Sequence, residues 1–337
     1  MQEVYYLNGL GKWKYTVPFP VTTIYRFEKG GFGRSAGDVY FGTTNGVYLA
    51  KMGSWRADTK INGIDEEIVS IQTDRGHENS VHIKTISGKV CFLDANGTIG
   101  WYNNIPYPVT TIYRFEKGGF GRSAGDVYFG TTNGIYLSTA QNNWINPSKI
   151  NNGINNAVAE IKDVNDNYNS VFVRTNNGEA YYLNGRGELS KYNVPFPVTT
   201  IYRFEKSGAG RNVGDVYFGT TNGVYLAKMG SWTADTKING INKEIVSIQK
   251  DRENGNSVLI KTITGNVCFL DGDGKIGWYN IPYPGTSIYR FEKGTGKYGI
   301  NDGDVYIGTS NGLYLSKAGN NWNTLSKIDL QNNHDEL

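Results

Sequence analysis

The stretch that decides the fold lies at residues 19–52 and reads FPVTTIYRFEKGGFGRSAGDVYFGTTNGVYLAKM. Closely related stretches begin at Tyr107, Phe196 and Tyr283. Within them the hexapeptide IYRFEK recurs at steps of 88, 89 and 87 residues, beginning at Ile24, Ile112, Ile201 and Ile288. A fixed period of this kind indicates a repeat architecture, so it is considered before any local structure.

A second, different unit separates these copies. It begins at Glu67 and reads EIVSIQTDRGHENSVHIKTISGKVCFLDANGTIGWYN, and it returns with few changes at Glu244. A divergent version begins at Ala157. Each period of about 88 residues therefore holds two units of about 44 residues, which we call a and b.

Each unit divides into about four short strands, because β-branched and aromatic residues cluster between glycine-rich segments. In the first a unit the strands are predicted near residues 22–28, 38–43, 47–51 and 58–62. The TTNG segment at residues 43–46 is predicted to form a two-residue type I′ hairpin turn, since Asn-Gly accepts positive φ angles. The sequence shows no helical periodicity.

A repeated four-stranded unit of this length predicts an all-β fold, the β-propeller, in which each blade buries both sheet faces against its neighbours. Seven complete antiparallel blades are expected. The four a blades are predicted near residues 20–62, 108–152, 197–240 and 284–328, and the three b blades near residues 64–104, 154–194 and 241–281. The two-blade repeats thus lie near residues 20–104, 108–194, 197–281 and 284–328.

The N-terminal residues 3–17 match residues 179–194, which form the last two strands of a b blade. Propellers often close by mixing strands from both termini, since an open sheet edge invites aggregation. We therefore expect an eight-blade plan with an incomplete closing blade, in one domain over residues 1–337. The alternative is a seven-blade ring with an added N-terminal hairpin.

Composition excludes several partner classes. The net charge is +3 with acids and bases interspersed, so the basic stripe of a nucleic-acid binder is lacking. No apolar run approaches the 18 residues that suggest a membrane span, and no signal peptide is recognised. The C-terminal residues His334-Asp335-Glu336-Leu337 match an endoplasmic-reticulum retention signal, which favours an extracellular or secretory-pathway location.

The segment GDVYFGTTNGIYLSTAQNNW at residues 125–144 resembles the repeats of regulator-type propellers, in which a short strand ends in Gly-Thr-x-x-Gly. Its second half is also similar to the Asp-box hairpin of sialidase-like propellers, Ser-x-Asp-x-Gly-x-x-Trp. The tryptophan is retained at Trp55, Trp144, Trp232 and Trp322. The Asp and Gly positions differ from the pattern in every copy, and the resemblance implies only a fold that hosts many functions.

Catalysis is not expected, because hydrolysis by paired carboxylates needs two acids in different environments and nearly every polar group here recurs as a near-copy. A row of arginines recurs two residues before a glutamate, at Arg26, Arg114, Arg203 and Arg290. On a strand such pairs share one face, so we expect them to neutralise each other or the neighbouring blade. Cys91 and Cys268 are predicted to be free buried thiols, the DGDG segment at 271–274 is predicted to be a turn, and no metal or cofactor is expected.

Two sets of aromatic residues are candidate ligand sites. The first lies between prolines in the links that lead into the a blades, at Phe19, Tyr107, Phe196 and Tyr283. Stiff links make rigid aromatic platforms. The alternative interpretation is that these rings simply fill gaps between blades. The second set is the four tryptophans named above, with Asn143 and Asn321 beside two of them. Their indole rings are suited to stacking on sugars, or alternatively to closing a hairpin.

The leading functional hypothesis is a non-enzymatic, multivalent binding protein of the lectin or adhesive kind, with glycans or another repetitive cell-surface ligand as its partner. It predicts about four equivalent sites. The alternative is a protein-interaction scaffold with one asymmetric face and a protein partner. A third hypothesis is a sialidase-like glycoside hydrolase, which predicts turnover of a chromogenic glycoside.

Overall fold

The computed structural model describes residues 4–8, 11–31, 33–74, 79–142, 146–150, 153–164, 169–208, 210–251, 257–291, 301–318 and 324–328. Across these residues the regular structure is β-strand, apart from one 3₁₀ turn at Ala140–Asn142. Within the same residues, no helix has the length and apolar character needed to cross a membrane.

The first strands of the chain are β1 (Val4–Asn8) and β2 (Gly11–Tyr15), which form a two-stranded sheet. Blade a1 follows with β3 (Val21–Arg26), β4 (Val39–Thr43), β5 (Gly46–Ala50) and β6 (Thr59–Lys60). Blade b1 consists of β7 (Ile68–Thr73), β8 (Val81–Thr85), β9 (Val90–Leu93) and β10 (Ile99–Trp101). Blade a2 consists of β11 (Val109–Arg114), β12 (Val127–Thr131), β13 (Gly134–Ser138) and β14 (Ser148–Lys149).

Blade b2 consists of β15 (Val158–Asp163), β16 (Val171–Thr175), β17 (Ala180–Leu183) and β18 (Leu189–Lys191). Blade a3 consists of β19 (Val198–Arg203), β20 (Val216–Thr220), β21 (Gly223–Ala227) and β22 (Thr236–Lys237). Blade b3 consists of β23 (Ile245–Lys250), β24 (Val258–Thr262), β25 (Val267–Leu270) and β26 (Ile276–Trp278). Blade a4 consists of β27 (Gly285–Arg290), β28 (Val305–Thr309), β29 (Gly312–Ser316) and β30 (Leu325–Ile328).

The fold is an all-β propeller with seven four-stranded antiparallel blades, each with its strands in chain order. The four strands of a1 begin and end within two residues of the predicted positions. The expectation of eight blades is wrong, and the seven-blade alternative with an N-terminal hairpin is confirmed. The reason is that β30 completes a4, whereas β1 and β2 pair only with each other among the described strands.

The hairpin turn between β4 and β5 differs from the predicted type I′ turn. Asn45 keeps an ordinary negative φ, and only Gly46 is left-handed, with a φ of +100°. A type I′ turn needs positive φ at both central residues, so the prediction is wrong. Gly46 is still required, because a Cβ atom there would lie 2.1 Å from the carbonyl oxygen of Ile64.

The glycine-rich loop between β3 and β4 is held by specific contacts, which gives its repeated sequence a packing reason. Arg34 Nε donates to the Tyr40 hydroxyl at 2.8 Å, and Arg122–Tyr128 and Arg211–Tyr217 repeat this bond. Gly33 has a φ of +74°, and a Cβ atom there would lie 2.5 Å from the carbonyl oxygen of Ala95 in b1.

The chain forms two compact units, each with its own core. One comprises Met1–Tyr6, Trp13–Asn176 and Tyr182–Leu189, and the other comprises Leu7–Lys12, Asn177–Tyr181 and Ser190–Leu337. In the first, a core cluster joins residues of a1 and b1, among them Phe27, Tyr40, Ile68 and Ile83. The second unit repeats that cluster in a3 and b3, among them Phe204, Tyr217, Ile245 and Ile260. The prediction of a single domain stays a prediction.

The first strand of a1 breaks the symmetry of the repeat. Ile24 is 51% exposed, whereas Ile112, Ile201 and Ile288 at the same position are 6%, 1% and 9% exposed. Ile112 packs in a cluster with Val90 of the preceding b blade. The hairpin of β1 and β2 precedes a1 along the described chain, whereas a four-stranded b blade precedes each of a2, a3 and a4.

Candidate functional site

The predicted platforms between prolines share one environment. Phe19, Tyr107, Phe196 and Tyr283 are 38%, 40%, 38% and 41% exposed. The Phe19 ring packs on buried Tyr48 of β5 at a centroid distance of 5.7 Å, and Phe196 packs on Tyr225 of β21 at 5.8 Å. Phe19 and Phe196 therefore each have one packed side and one face in solvent, so the gap-filling and platform interpretations both describe part of their environment.

The predicted tryptophans do not share one environment. Trp55 stacks on Trp13 of β2 with a centroid distance of 5.5 Å and an interplanar angle of 13°, and Tyr6 of β1 adds a second stacked ring at 6.0 Å. The hairpin thus covers Trp55. Trp232 is 44% exposed and packs against Tyr192 at 5.0 Å. Trp144, Trp322, Asn143 and Asn321 lie outside the described residues.

A cleft that sequence reasoning missed lies in the first unit beside blade b1. It has a volume of about 370 Å³ and is lined by Gly63, Asp65, Glu66, Lys89, Trp101, Tyr102 and Asn103. We call it the Trp101 cleft. Trp101 is 36% exposed, so its indole ring is available to a ligand. The signal for it was the GWYN segment that ends both closely related b units.

The elements of b1 and its entry link position these side chains. Gly63, Asp65 and Glu66 precede β7, Lys89 precedes β9, and Trp101 is the last residue of β10. The register pairs Cys91 of β9 with Trp101. Since adjacent strands run antiparallel, the start of β7, the start of β9 and the end of β10 meet at the same end of the sheet.

Two ion pairs organise the acidic residues of the Trp101 cleft. Lys89 Nζ lies 2.5 Å from Glu66 Oε1, and Lys60 Nζ lies 2.6 Å from Asp65 Oδ1. The Ser87 hydroxyl also donates to Glu66. The bonds from Lys89 and Ser87 lower the pKa of Glu66 to about 2. Glu66 is therefore a carboxylate over the whole physiological pH range.

Tyr102, which lines the cleft, forms a buried pair with His82. Tyr102, next to Trp101, is 8% exposed, and its hydroxyl lies 2.8 Å from His82 Nε2. Its ring also packs edge-on against Phe129 of a2 at 4.9 Å. Burial lowers the pKa of His82 to about 4, so this imidazole is neutral at pH 7.

The second unit repeats these positions around Trp278, and by this equivalence we call that region the Trp278 cleft. The register pairs Cys268 with Trp278 as Cys91 pairs with Trp101, and Trp278 is 41% exposed. The positions that line the first cleft are occupied here by Gly240, Asn242, Lys243, Asn266, Trp278, Tyr279 and Asn280. In b2 the tryptophan position is Lys191, which pairs with Glu179 at 2.5 Å. Only b1 and b3 thus carry the indole platform.

Two of the recurring arginines have a structural role, because they form buried ion pairs with aspartates. Arg114 pairs with Asp74, and Arg290 Nε lies 3.4 Å from Asp251 Oδ1. Both acids belong to the preceding b blade, so the predicted neutralisation by a neighbouring blade is confirmed at these two positions. Arg26 is exposed, with its guanidinium carbon 5.3 Å from the centroid of the Tyr6 ring.

The turns and thiols behave as the sequence suggested. Asp271 Oδ1 accepts hydrogen bonds from the backbone of Asp273 and Lys275 at 3.0 and 2.8 Å, so its carboxylate closes a turn. Within the described part of the chain, no three His, Cys, Asp or Glu residues group into a metal site. Cys91 and Cys268 are free and buried, and burial raises the pKa of each thiol to about 12.

Solved structures share this fold. The computationally designed Ika8 protein is 12% identical, with a TM-score of 0.62 over 93% of this chain and 92% of that chain. The C-terminal WD40 domain of Sif2 is 9% identical, with a TM-score of 0.60 over 89% of this chain and 82% of that one. BBS1N, solved in complex with ARL6DN, is 14% identical, with a TM-score of 0.56 over 93% of this chain and 95% of that one.

Sequence comparisons add no closer relative. The chain matches no protein-family profile and no curated protein sequence. Because 1206 solved chains resemble its backbone, the fold alone does not select a function. The function must be argued from the site itself.

Proposed function

We propose that this protein is a non-enzymatic, multivalent carbohydrate-binding propeller whose principal sites are the Trp101 and Trp278 clefts. One observation carries the proposal: the Trp101 indole is 36% exposed beside a cleft lined by two carboxylates, an amine and an amide. An exposed indole face packs on the C–H face of a sugar ring, and such polar groups accept and donate hydrogen bonds to its hydroxyls.

The size of the cleft is consistent with a small ligand. Its volume of about 370 Å³ lies near the lower end of the roughly 300–1,000 Å³ range of small-molecule sites. A single sugar unit or the end of a chain is the kind of ligand it would hold. Weak affinity at each site is then expected, and two sites on one chain gain avidity toward a repetitive glycan.

The ionisation of the cleft favours binding over hydrolysis. Glycoside hydrolysis needs one carboxylic acid that keeps its proton until it reaches the leaving oxygen. Glu66, with its pKa of about 2, is ionised at neutral pH, and Asp65 is paired with Lys60. Glu66 therefore serves as a hydrogen-bond acceptor rather than as a proton donor, and Asp65 is engaged by the Lys60 ammonium group. The hydrolase alternative would be revived by turnover of a chromogenic glycoside that Glu66→Gln abolishes.

The second candidate function is a protein-interaction scaffold. Exposed apolar side chains recur at equivalent positions, with Met52 and Met229 at 67% and 68% and Ile86 and Ile263 at 63% and 60%. Methionine is enriched at protein interfaces. The similar BBS1N structure was solved in complex with ARL6DN, which illustrates a propeller of this kind with a protein partner.

A glycan array followed by calorimetry tests the proposal. Sugar binding at two sites per chain, with Trp101→Ala and Trp278→Ala each removing one site, is the expected result. Trp232→Ala is the matched control, since that tryptophan is comparably exposed at 44% but lies outside both clefts. Four sites that survive both cleft substitutions would instead favour the aromatic residues between prolines. A blank array would favour the scaffold.

A further inference from the structure

The two tryptophan clefts share a platform but differ in charge. Resting on the proposed function, we infer that the Trp278 cleft binds a sugar ring bearing a carboxylate, that is, a uronic acid. The Trp101 cleft takes the neutral sugar instead. The two clefts are thus two receptors of different specificity, carried by the nearly identical blade pairs a1–b1 and a3–b3.

In the Trp101 cleft each acid has its own lysine. Asp65 is paired with Lys60 at 2.6 Å, and Glu66 is paired with Lys89 at 2.5 Å. Two negative and two positive groups therefore balance. A ligand carboxylate entering here would meet Asp65 and Glu66, whereas a neutral sugar meets acceptors and donors without net repulsion.

In the Trp278 cleft both acids are replaced. Asn242 stands at the position of Asp65, Lys243 at that of Glu66, and Asn266 at that of Lys89, while Lys237 stands at the position of Lys60. Lys237 is thus retained and Lys243 is gained, and none of these four positions holds an acid. The three-residue change is confined to the polar rim, because Trp278 and Tyr279 keep the platform.

The two lysines of the Trp278 cleft are engaged only by neutral groups. Lys243 Nζ lies 3.4 Å from the Thr264 hydroxyl, and Lys237 Nζ lies 5.9 Å from the centroid of the Tyr225 ring. Neither ammonium group forms an ion pair with a carboxylate among the residues that the structure describes. Asn242 and Asn266 supply neutral donors and acceptors for ring hydroxyls. By the equivalence of these positions with those of the Trp101 cleft, an anionic group on the sugar would meet positive charge there without displacing an internal carboxylate.

The test uses the full-length chain and three matched pairs of methyl glycosides. Each pair joins a neutral hexoside with its uronide, in the gluco, galacto and manno series. Trp101→Ala leaves only the Trp278 cleft intact, and Trp278→Ala leaves only the Trp101 cleft. Calorimetric titrations at low salt and in 1 M NaCl are compared, and a thermal melt confirms that each variant is folded.

The expected result is that Trp101→Ala binds the uronide of at least one pair roughly fivefold more tightly than its neutral partner, the scale of an exposed ion pair. In 1 M salt, where the Debye length is about 3 Å, that preference disappears. The double substitution Asn242→Asp with Lys243→Glu, which installs the two acids of the first cleft, also abolishes it. Trp278→Ala shows no preference for uronides.

Equal affinity of Trp101→Ala for both members of every bound pair would overturn the charge inference while leaving carbohydrate binding in place. The same holds for a uronide preference that survives Asn242→Asp with Lys243→Glu. Failure of the wild-type chain to bind any of the six glycosides overturns the inference. Only a blank glycan array in addition would overturn the proposed function.

Discussion

Arg114 and Asp74 form a buried ion pair, with 5% of the arginine side chain and 3% of the aspartate side chain exposed. Arg114 lies at the end of β11 in a2, and Asp74 follows β7 in b1, so the pair joins two consecutive blades. Arg290 and Asp251 repeat the relationship between a4 and b3. At these two positions the recurring arginine therefore links two consecutive blades through a buried ion pair.

Substituting Asp74 tests how much the Arg114–Asp74 ion pair contributes to stability. The equivalent position in b2 is Val164, so Asp74→Val is a replacement the fold already accommodates elsewhere. It leaves the Arg114 guanidinium buried without its carboxylate, and we expect a loss of about 3–5 kcal/mol in the free energy of unfolding, measured by urea denaturation. The double variant Asp74→Val with Arg114→Met is expected to recover most of it. A loss below about 1 kcal/mol for the single variant would contradict a stabilising role.

His82 makes stability depend on pH. Its pKa in the folded chain is about 4, below the ordinary 6.5, because burial disfavours the charged imidazole. Between these values the unfolded chain binds a proton that the folded chain does not, so stability is full above pH 6.5 and falls as the pH drops toward 4. The loss is about 3 kcal/mol, and it levels off below pH 4.

The control for His82 is built into the repeat, since Leu259 occupies the same position in b3. In His82→Leu this part of the pH dependence is expected to vanish, which chemical denaturation at pH 7, 5.5 and 4 will measure. An unchanged slope in that variant would assign the effect to other groups.

The break in symmetry at a1 predicts unequal effects of one substitution. Ile201→Ala removes a side chain that is 1% exposed, whereas Ile24→Ala removes one that is 51% exposed. We expect losses of about 3 kcal/mol at position 201 and less than about 1 kcal/mol at position 24, from urea denaturation monitored by circular dichroism. Equal losses would mean that Ile24 is covered in solution.

Comparing Gly33 with Gly53 distinguishes the cost of a left-handed backbone from the cost of a steric clash. Gly33 and Gly53 have similar φ values of +74° and +79°, but a Cβ atom would lie 2.5 Å from the Ala95 carbonyl oxygen at Gly33 and would meet nothing within 4 Å at Gly53. Gly53→Ala is expected to cost about 1 kcal/mol for the left-handed backbone. Gly33→Ala is expected to cost about 2 kcal/mol more, because the loop must move off b1. Similar melting temperatures for the two variants would exclude the clash.

The period of the repeat was enough to predict the blades and nearly all strand limits in a1, because each strand is bounded by turn residues at a fixed offset. The period was not enough to predict the number of blades, because that number depends on which strands pair with β1 and β2. The prediction of the turn type failed for a local reason: Asn45-Gly46 is compatible with two turn geometries, and in this one only Gly46 has a positive φ. The Ile64 carbonyl oxygen leaves no room for a Cβ atom at that position.

The candidate site was largely hidden from sequence reasoning. Asp65, Lys89 and Trp101 are separated along the chain by two strands of b1, and only the sheet register shows that they line one cleft. Trp55 was predicted to be available to a ligand, but Trp13 and Tyr6 of the hairpin stack on it. That contact depends on β1 and β2 packing against a1, which the a-unit motif by itself does not encode.

The duplication of a1–b1 as a3–b3 has a consequence for how such a chain evolves. The residues that differ between the two clefts, Asp65 against Asn242 and Glu66 against Lys243, are outside the core clusters, and surface changes of this kind alter stability by only about 0.5 kcal/mol. One copy is therefore free to change these polar residues while the other keeps its own. The duplicated scaffold thus separates changes at the cleft from the requirements of folding, because each copy keeps its own core cluster.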